Sequence, residues 1–175
     1  MPTLRLNIVH KKQTKLFDCW YACLQMLLSY KAGHKVKPGD FAQDHRRGIF
    51  GHQLNVFGDD MDHVKEQHGL IDVSGPATGA LESGARMYIL LRQYGPIMVS
   101  GRYGGLKMPF MNRIVQRCFG HWIVVGGTDT LNNRLWIHDP ILDGPKFMDC
   151  QRCSDLSYVN HPGGQDTALA INPNR

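Results

Sequence analysis

Cys19 lies in the segment Gln13-Thr14-Lys15-Leu16-Phe17-Asp18-Cys19-Trp20-Tyr21-Ala22-Cys23, and its chemistry is that of a thiol at the start of a helix. Asp18 is a good N-cap residue, and the run that follows holds no Gly or Pro before Gly33. The first turn of a helix leaves backbone N–H groups unpaired and carries a partial positive charge, which favours a thiolate over a thiol. Gln13, six positions upstream, is near enough for a loop to return its side-chain amide beside the sulfur. That amide and the Cys19 backbone N–H would together form an oxyanion hole. Asp18 pulls the other way, because a carboxylate next to the thiol opposes the helix dipole.

A nucleophilic thiol needs a base, and the base needs a group to orient it. Of nine histidines, His121 stands out, since Gly120-His121-Trp122-Ile123-Val124-Val125-Gly126-Gly127 sets it at the mouth of a strand behind a glycine. Asp139 ends the next strand, in Trp136-Ile137-His138-Asp139-Pro140. A hairpin turning near Asn132-Asn133, with its register centred near residue 130, would bring His121 and Asp139 face to face. Each residue alone has a plainer explanation, the His as a polar strand end and the Asp-Pro as a turn starter. Together, in the order Gln, Cys, His, Asp, they point to catalysis. His138 is the neighbour most easily confused with Asp139, and strand alternation sends one of the two away from the site.

The elements that must position these residues follow from the hydrophobic pattern. Leu4, Leu6 and Ile8 alternate with polar residues, as in a strand. The Cys19 helix is expected to run to about Lys31 and end at Gly33. Trp20, Tyr21, Leu24, Leu27 and Leu28 surround it so fully that it must be central and buried. Shorter helices are expected near 39–46 and over Asp59–His68, and a longer one over 81–94, closed by Gly95-Pro96. After Pro96 the runs turn short and rich in β-branched residues: Ile97-Met98-Val99, Trp122 to Val125, Leu135-Trp136-Ile137 and Ala168 to Ile171. Helices first and an antiparallel sheet second is an α+β plan, with the thiol on the helical half and its partners on the sheet.

Composition sets the outer bounds. With 175 residues, no internal repeat and no shift in composition, residues 1–175 read as a single domain. Nothing approaches the roughly 18 apolar residues of a membrane span, and Lys and His interrupt the start too early for a signal-peptide core. A cytosolic chain, export by another route, or a piece of a longer protein all fit that start. The net charge of +5 comes from scattered basic residues without a nucleic-acid motif, so a solvated surface explains it. Five cysteines leave at least one thiol unpaired in a monomer. Cys150-Gln151-Arg152-Cys153 lacks the two further ligands of a zinc site, and reduced thiols are its simplest reading. Cys23 reads as helix core, and Cys118 as either core or surface.

Gln13, Cys19-Trp20, Gly120-His121-Trp122 and Asp139-Pro140 resemble the papain-like cysteine peptidases. Asp18-Cys19 with Ala22-Cys23-Leu24, Met26, Tyr30 and Gly33 is similar to the double-glycine leader peptidases of bacteriocin exporters. Cys19-Trp20, Gly95-Pro96 and Gly120-His121-Trp122 look more like the papain-like proteases that bacteria deliver as effectors or toxins. The resemblance implies a papain-like fold, with a helical lobe and its catalytic helix packed on a sheet lobe. It also implies Gln13 in the oxyanion hole, Cys19 as nucleophile, His121 as base and acid, and Asp139 as orienter. Trp20, Gly120 and Trp122, flanking the reacting groups, are expected at the substrate, and the segment 104–111 either walls the cleft or is an exposed loop.

The sequence departs from plant and lysosomal relatives in carrying Phe17-Asp18 before the Cys, and Asp139 in place of their Asn. It also has no transporter segment.

Such chemistry needs no cofactor and no metal. The expected partners are a protein substrate and an immunity or inhibitor protein, with no nucleic acid or membrane. The expected location is the bacterial cytoplasm, followed by delivery into a target cell without a classical signal peptide. A cell-wall amidase with Cys–His chemistry and a non-catalytic module on the same fold are the competing readings. Trp20-Tyr21 argues against the amidase, whose Cys is usually followed by small residues, and the intact residue set argues against the module.

Overall fold

The computed structural model describes residues 3–15, 18–33, 59–102, 120–157, 159 and 167–174. The expected helix near 39–46, Cys118 and the segment 104–111 lie outside them. The described elements are β1 (Leu4–Arg5), α1 (Cys19–Ala32), α2 (Asp59–His68), β2 (Leu70–Asp72), α3 (Ser74–Ala77) and α4 (Gly84–Tyr94). They continue with β3 (Ile97–Gly101), β4 (His121–Asp129), β5 (Arg134–His138), β6 (Lys146–Asp149), α5 (Cys150–Leu156) and β7 (Ala168–Ile171).

The strands form one antiparallel sheet in the order β2-β7-β3-β4-β5-β6. β4 is its longest strand and carries β5 on one edge. Its other edge is shared by β3, which pairs with His121 to Val125, and β1, which pairs with Gly127 and Thr128. β3, β4 and β7 are buried along their whole length, as their unbroken apolar runs require when both faces of a sheet are covered.

Side-chain alternation divides the core into two clusters. Met98, Trp122, Val124 and Leu169 meet Trp20, Tyr21, Leu24 and Leu27 of α1 and Met61 and Val64 of α2. Ile97, Val99, Ile123, Val125, Ala168 and Ala170 turn the other way, toward Ala77 of α3, Met87 and Leu91 of α4 and Cys150 and Cys153 of α5. The sheet is therefore sandwiched between helices. The α+β plan holds, with the difference that helices from both ends of the chain flank the sheet.

α1 ends where Gly33 adopts a left-handed φ of 69°, a conformation open to glycine without a Cβ penalty. α4 starts later than the expected residue 81, because Ser83 caps it and accepts from the Arg86 N–H. The alternating start yields only the two-residue β1, and the rest of 6–15 runs as a strap over the sheet end. The β4–β5 hairpin turns at Asn133, itself left-handed with φ 48°. That turn is tied to α4, since Asn133 Oδ1 accepts from the Gly84 N–H at 2.8 Å and Thr128 Oγ1 donates to the Gly84 carbonyl at 2.9 Å. A Cβ on Gly84 would lie 2.9 Å from Thr128 Oγ1, so the close approach of helix and hairpin depends on that glycine.

Candidate active site

Cys19 is the first residue of α1 and is only 7% exposed. Asp18 occupies the N-cap position but makes no capping bond with its side chain, contrary to its expected role. The helix entry is held instead by its backbone, with the Asp18 carbonyl accepting from the Ala22 N–H at 3.0 Å.

Opposite α1, His121 opens β4 and Asp139 follows β5 directly. His121 Nε2 lies 2.8 Å from Asp139 Oδ1, in a buried pair. The same carboxylate oxygen accepts from the Ile141 N–H at 3.0 Å, so the turn after β5 fixes its direction. Burial pulls the His121 pKa down, but hydrogen bonds with Asp139 and then with Cys19, and the charges of both, lift it to about 9. Burial favours the neutral form of Asp139, and His121, the Ile141 N–H and Lys146 more than offset it, so its carboxyl sits below the ordinary range. With Nε2 on Asp139, the other ring nitrogen is the one left for Cys19. The structure thus brings a thiol, an imidazole and a carboxylate together.

The hairpin register differs from the expected one. The ladder pairs Val124 with His138 and Val125 with Ile137, and it slips by a bulge before Gly127 pairs with Trp136. His121 and Asp139 are therefore not direct cross-strand partners. They meet beyond the end of the β4–β5 ladder, where Asp139 leaves β5 and turns back toward the strand mouth. No spacing rule foretells that turn.

Residues 3–148 match the family described as papain-like cysteine protease AvrRpt2. The chain belongs to that family. Among curated proteins nothing matches. Of the solved structures, a Bacillus anthracis protein described as a C39-like peptidase matches with a TM-score of 0.61 at 17% identity, over 98% of each chain. At that identity the likeness is one of fold, and the fold is the papain-like one.

The other thiols of this protease are unlike Cys19. Cys23, one turn on, is fully buried, and its pKa is driven well up by burial and by the charges of Cys19 and Asp139. Cys150 is pushed to about 12 by burial and the charge of Asp149, despite a backbone hydrogen bond with Gly84. All four described cysteines are free thiols. Among the described residues, no group of three or more His, Cys, Asp or Glu side chains could hold a metal ion.

Gln13 is half-buried on the strap. Its side-chain Nε2 donates to the Lys15 carbonyl at 3.0 Å, and its backbone N–H donates to Pro140, next to Asp139, at 2.9 Å. Trp20 and Trp122 are 2% and 3% exposed. They pack between α1 and the sheet and present little surface to a substrate. Gly120 is half-buried at the strand mouth. His138 points away from His121 and stacks on His10, with ring centroids 5.6 Å apart. His10 itself drew no attention in the sequence, because only the fold carries the strap across β5.

Proposed function

We propose that the protein is an endopeptidase that cleaves a protein substrate through an acyl-enzyme, with residues 1–175 acting as one catalytic domain. The observation that carries this reading is the buried His121 imidazole held 2.8 Å from Asp139, with the Cys19 thiol at the start of α1 close enough to raise the ring's pKa. The Cys19 thiolate attacks the scissile carbonyl carbon, and the carbonyl electron pair moves to oxygen. The Cys19 N–H and the Gln13 amide stabilise that oxyanion. His121, as imidazolium, gives its proton to the leaving amine as the C–N bond breaks, which leaves a thioester on Cys19. His121 then takes a proton from water, whose oxygen attacks the thioester carbon, and the C–S bond breaks to release the acid and restore the Cys19 thiolate beside the His121 imidazolium. Asp139 keeps the ring oriented and stabilises its charged form throughout. Gly120, at the strand mouth, borders the substrate, while the buried Trp20 and Trp122 support the site from beneath.

The biological setting in this reading is delivery of the protein from a bacterial cytoplasm into a target cell. There it acts as an effector or toxin, and an immunity or inhibitor protein protects the producer. Support comes from the Cys19-Trp20 and Gly120-His121-Trp122 segments and from membership of the AvrRpt2 protease family. The decisive experiment exposes bacterial and host lysates to the protein and to Cys19→Ala, and identifies new protein termini by mass spectrometry. New termini that require Cys19 are expected. Cleavage of muropeptides with no new protein termini would replace this reading by a cell-wall amidase.

A further inference from the structure

The strap of residues 6–15 is fastened to the turn after β5 at three places. Gln13 N–H donates to the Pro140 carbonyl at 2.9 Å, His10 Nε2 donates to the Leu142 carbonyl at 2.9 Å, and Lys12 pairs with Asp143 at 2.6 Å. The turn is closed on itself by the Leu142 N–H on the Asp139 carbonyl at 3.0 Å. The lysine pair is exposed and contributes little. His10 is the half-buried fastening. Its Nδ1 has no hydrogen-bond partner among the described residues, and its ring stacks on His138 at 29° between planes.

His138 is 2% exposed, and neither of its ring nitrogens has a hydrogen-bond partner among the described residues. A histidine kept there is a costly choice unless its ring does something. Room for it comes from Gly126, where a Cβ would lie 3.2 Å from the His138 ring and collide with Ile8 of the strap. The strap, the His138 ring and the glycine thus fit one another.

We propose that His10 is a positioning residue, which together with the His138 ring beneath it holds Gln13 at a fixed distance from Asp139 and His121. This rests on Gln13 serving the oxyanion. The groups facing the pair are few. Among the described residues, His138 meets His10 from the strap and has Asp139 as its chain neighbour, while Asp143, paired with Lys12, lies near His10. Burial and the neighbouring His10 lower the His138 pKa to about 4, so the stack stays uncharged at His138 through the neutral range.

The test is steady-state hydrolysis of a fluorogenic peptide amide by the full chain, with kcat and KM resolved. Gln13→Ala is expected to lower kcat by about 100-fold, the usual loss of one oxyanion donor. His10→Ala is expected to lower kcat about ten-fold with KM nearly unchanged, as a small misplacement of Gln13 requires. The double variant should be no slower than Gln13→Ala alone, because His10 acts through Gln13. His10→Phe, which keeps the stack and loses the donor, should stay well below parent kcat, and His10→Gln, which keeps a donor and loses the stack, should recover part of it. These two carry the test if His10→Ala does not fold. Alkylation of Cys19 by iodoacetamide should run at the parent rate in every His10 variant.

Parent kcat in both His10→Ala and His10→Phe, or losses that multiply in the double variant, would overturn the positioning role alone. Parent kcat in Gln13→Ala would overturn the oxyanion reading and the positioning role with it. A parent enzyme whose Cys19 resists iodoacetamide would instead overturn the proposed active site.

Discussion

At the scale of single residues, position in the fold separates Cys19 from three other thiols of the same chemistry. Cys19 meets His121 at the helix start, whereas Cys23, Cys150 and Cys153 are sealed in the core. Cys19→Ala should lower turnover to background while thermal melting shows an intact fold, and Cys23→Ala should keep turnover. His121→Ala should be as damaging as loss of the thiol, because the groups act as a unit. Measured kcat for the three variants checks both statements. The Asp139 hydrogen bond is the leading cause that raises the His121 pKa, to about 9. The imidazolium therefore persists to about pH 9, and the basic limb of kcat/KM belongs there. Asp139→Asn removes the carboxylate charge, so that limb should move to lower pH, toward the ordinary histidine value of about 6.5. The same raised pKa makes His121 stabilise the fold fully below about pH 6.5, with that contribution fading as pH rises through about 9.

At the scale of elements, α1 and the end of β5 are the parts with the most at stake. α1 is buried nearly all round, and Leu24 is fully buried against the sheet. Leu24→Ala should cost about 2–5 kcal/mol of stability in urea unfolding, the usual range for a leucine truncated in a tight core. His138 works in the opposite sense to His121. Its pKa is lowered to about 4, so between about pH 6.5 and 4 the unfolded chain takes up a proton that the folded chain refuses. Stability should therefore fall as pH drops through that window, and His138→Phe should flatten the fall. Urea midpoints measured at several pH values for both proteins decide it. A parent protein whose stability is level across the window would show that His138 is charged in the fold.

At the scale of the whole molecule, the sheet is the frame across which the site is assembled. α1 delivers the thiol from one side, the start of β4 delivers the imidazole, and the turn after β5 delivers the carboxylate. Because the three come from distant parts of the chain, activity should be lost with global unfolding rather than before it. The proposed effector role is tested at this scale by expression in a bacterial and in a eukaryotic cytosol. Growth arrest that depends on Cys19 is the expected outcome, and harmless high-level expression in both hosts would remove that role.

The sequence by itself determined the local parts. Asp18-Cys19 before an uninterrupted apolar run could only begin a buried helix, and Gly33 could readily end it, so α1 is found over Cys19–Ala32. Asp59–His68 and Ala168–Ile171 were likewise legible from their own periodicity. β2, β6 and α5 were not, because Leu70–Asp72 and Lys146–Asp149 are short and polar enough to need a neighbouring strand. The residue types of the site and the pairing of His121 with Asp139 were readable, but the path by which the two meet was not. The register slips at the Val125–Gly127 bulge, and Asp139 reaches His121 from a turn beyond the ladder. Only the tertiary structure buried Trp122, and only it laid His10 on His138. Local pattern fixes which backbone hydrogen bonds a segment can close on itself. Which side chains then share a buried space is settled by packing between segments far apart in the chain, and no window of sequence contains both.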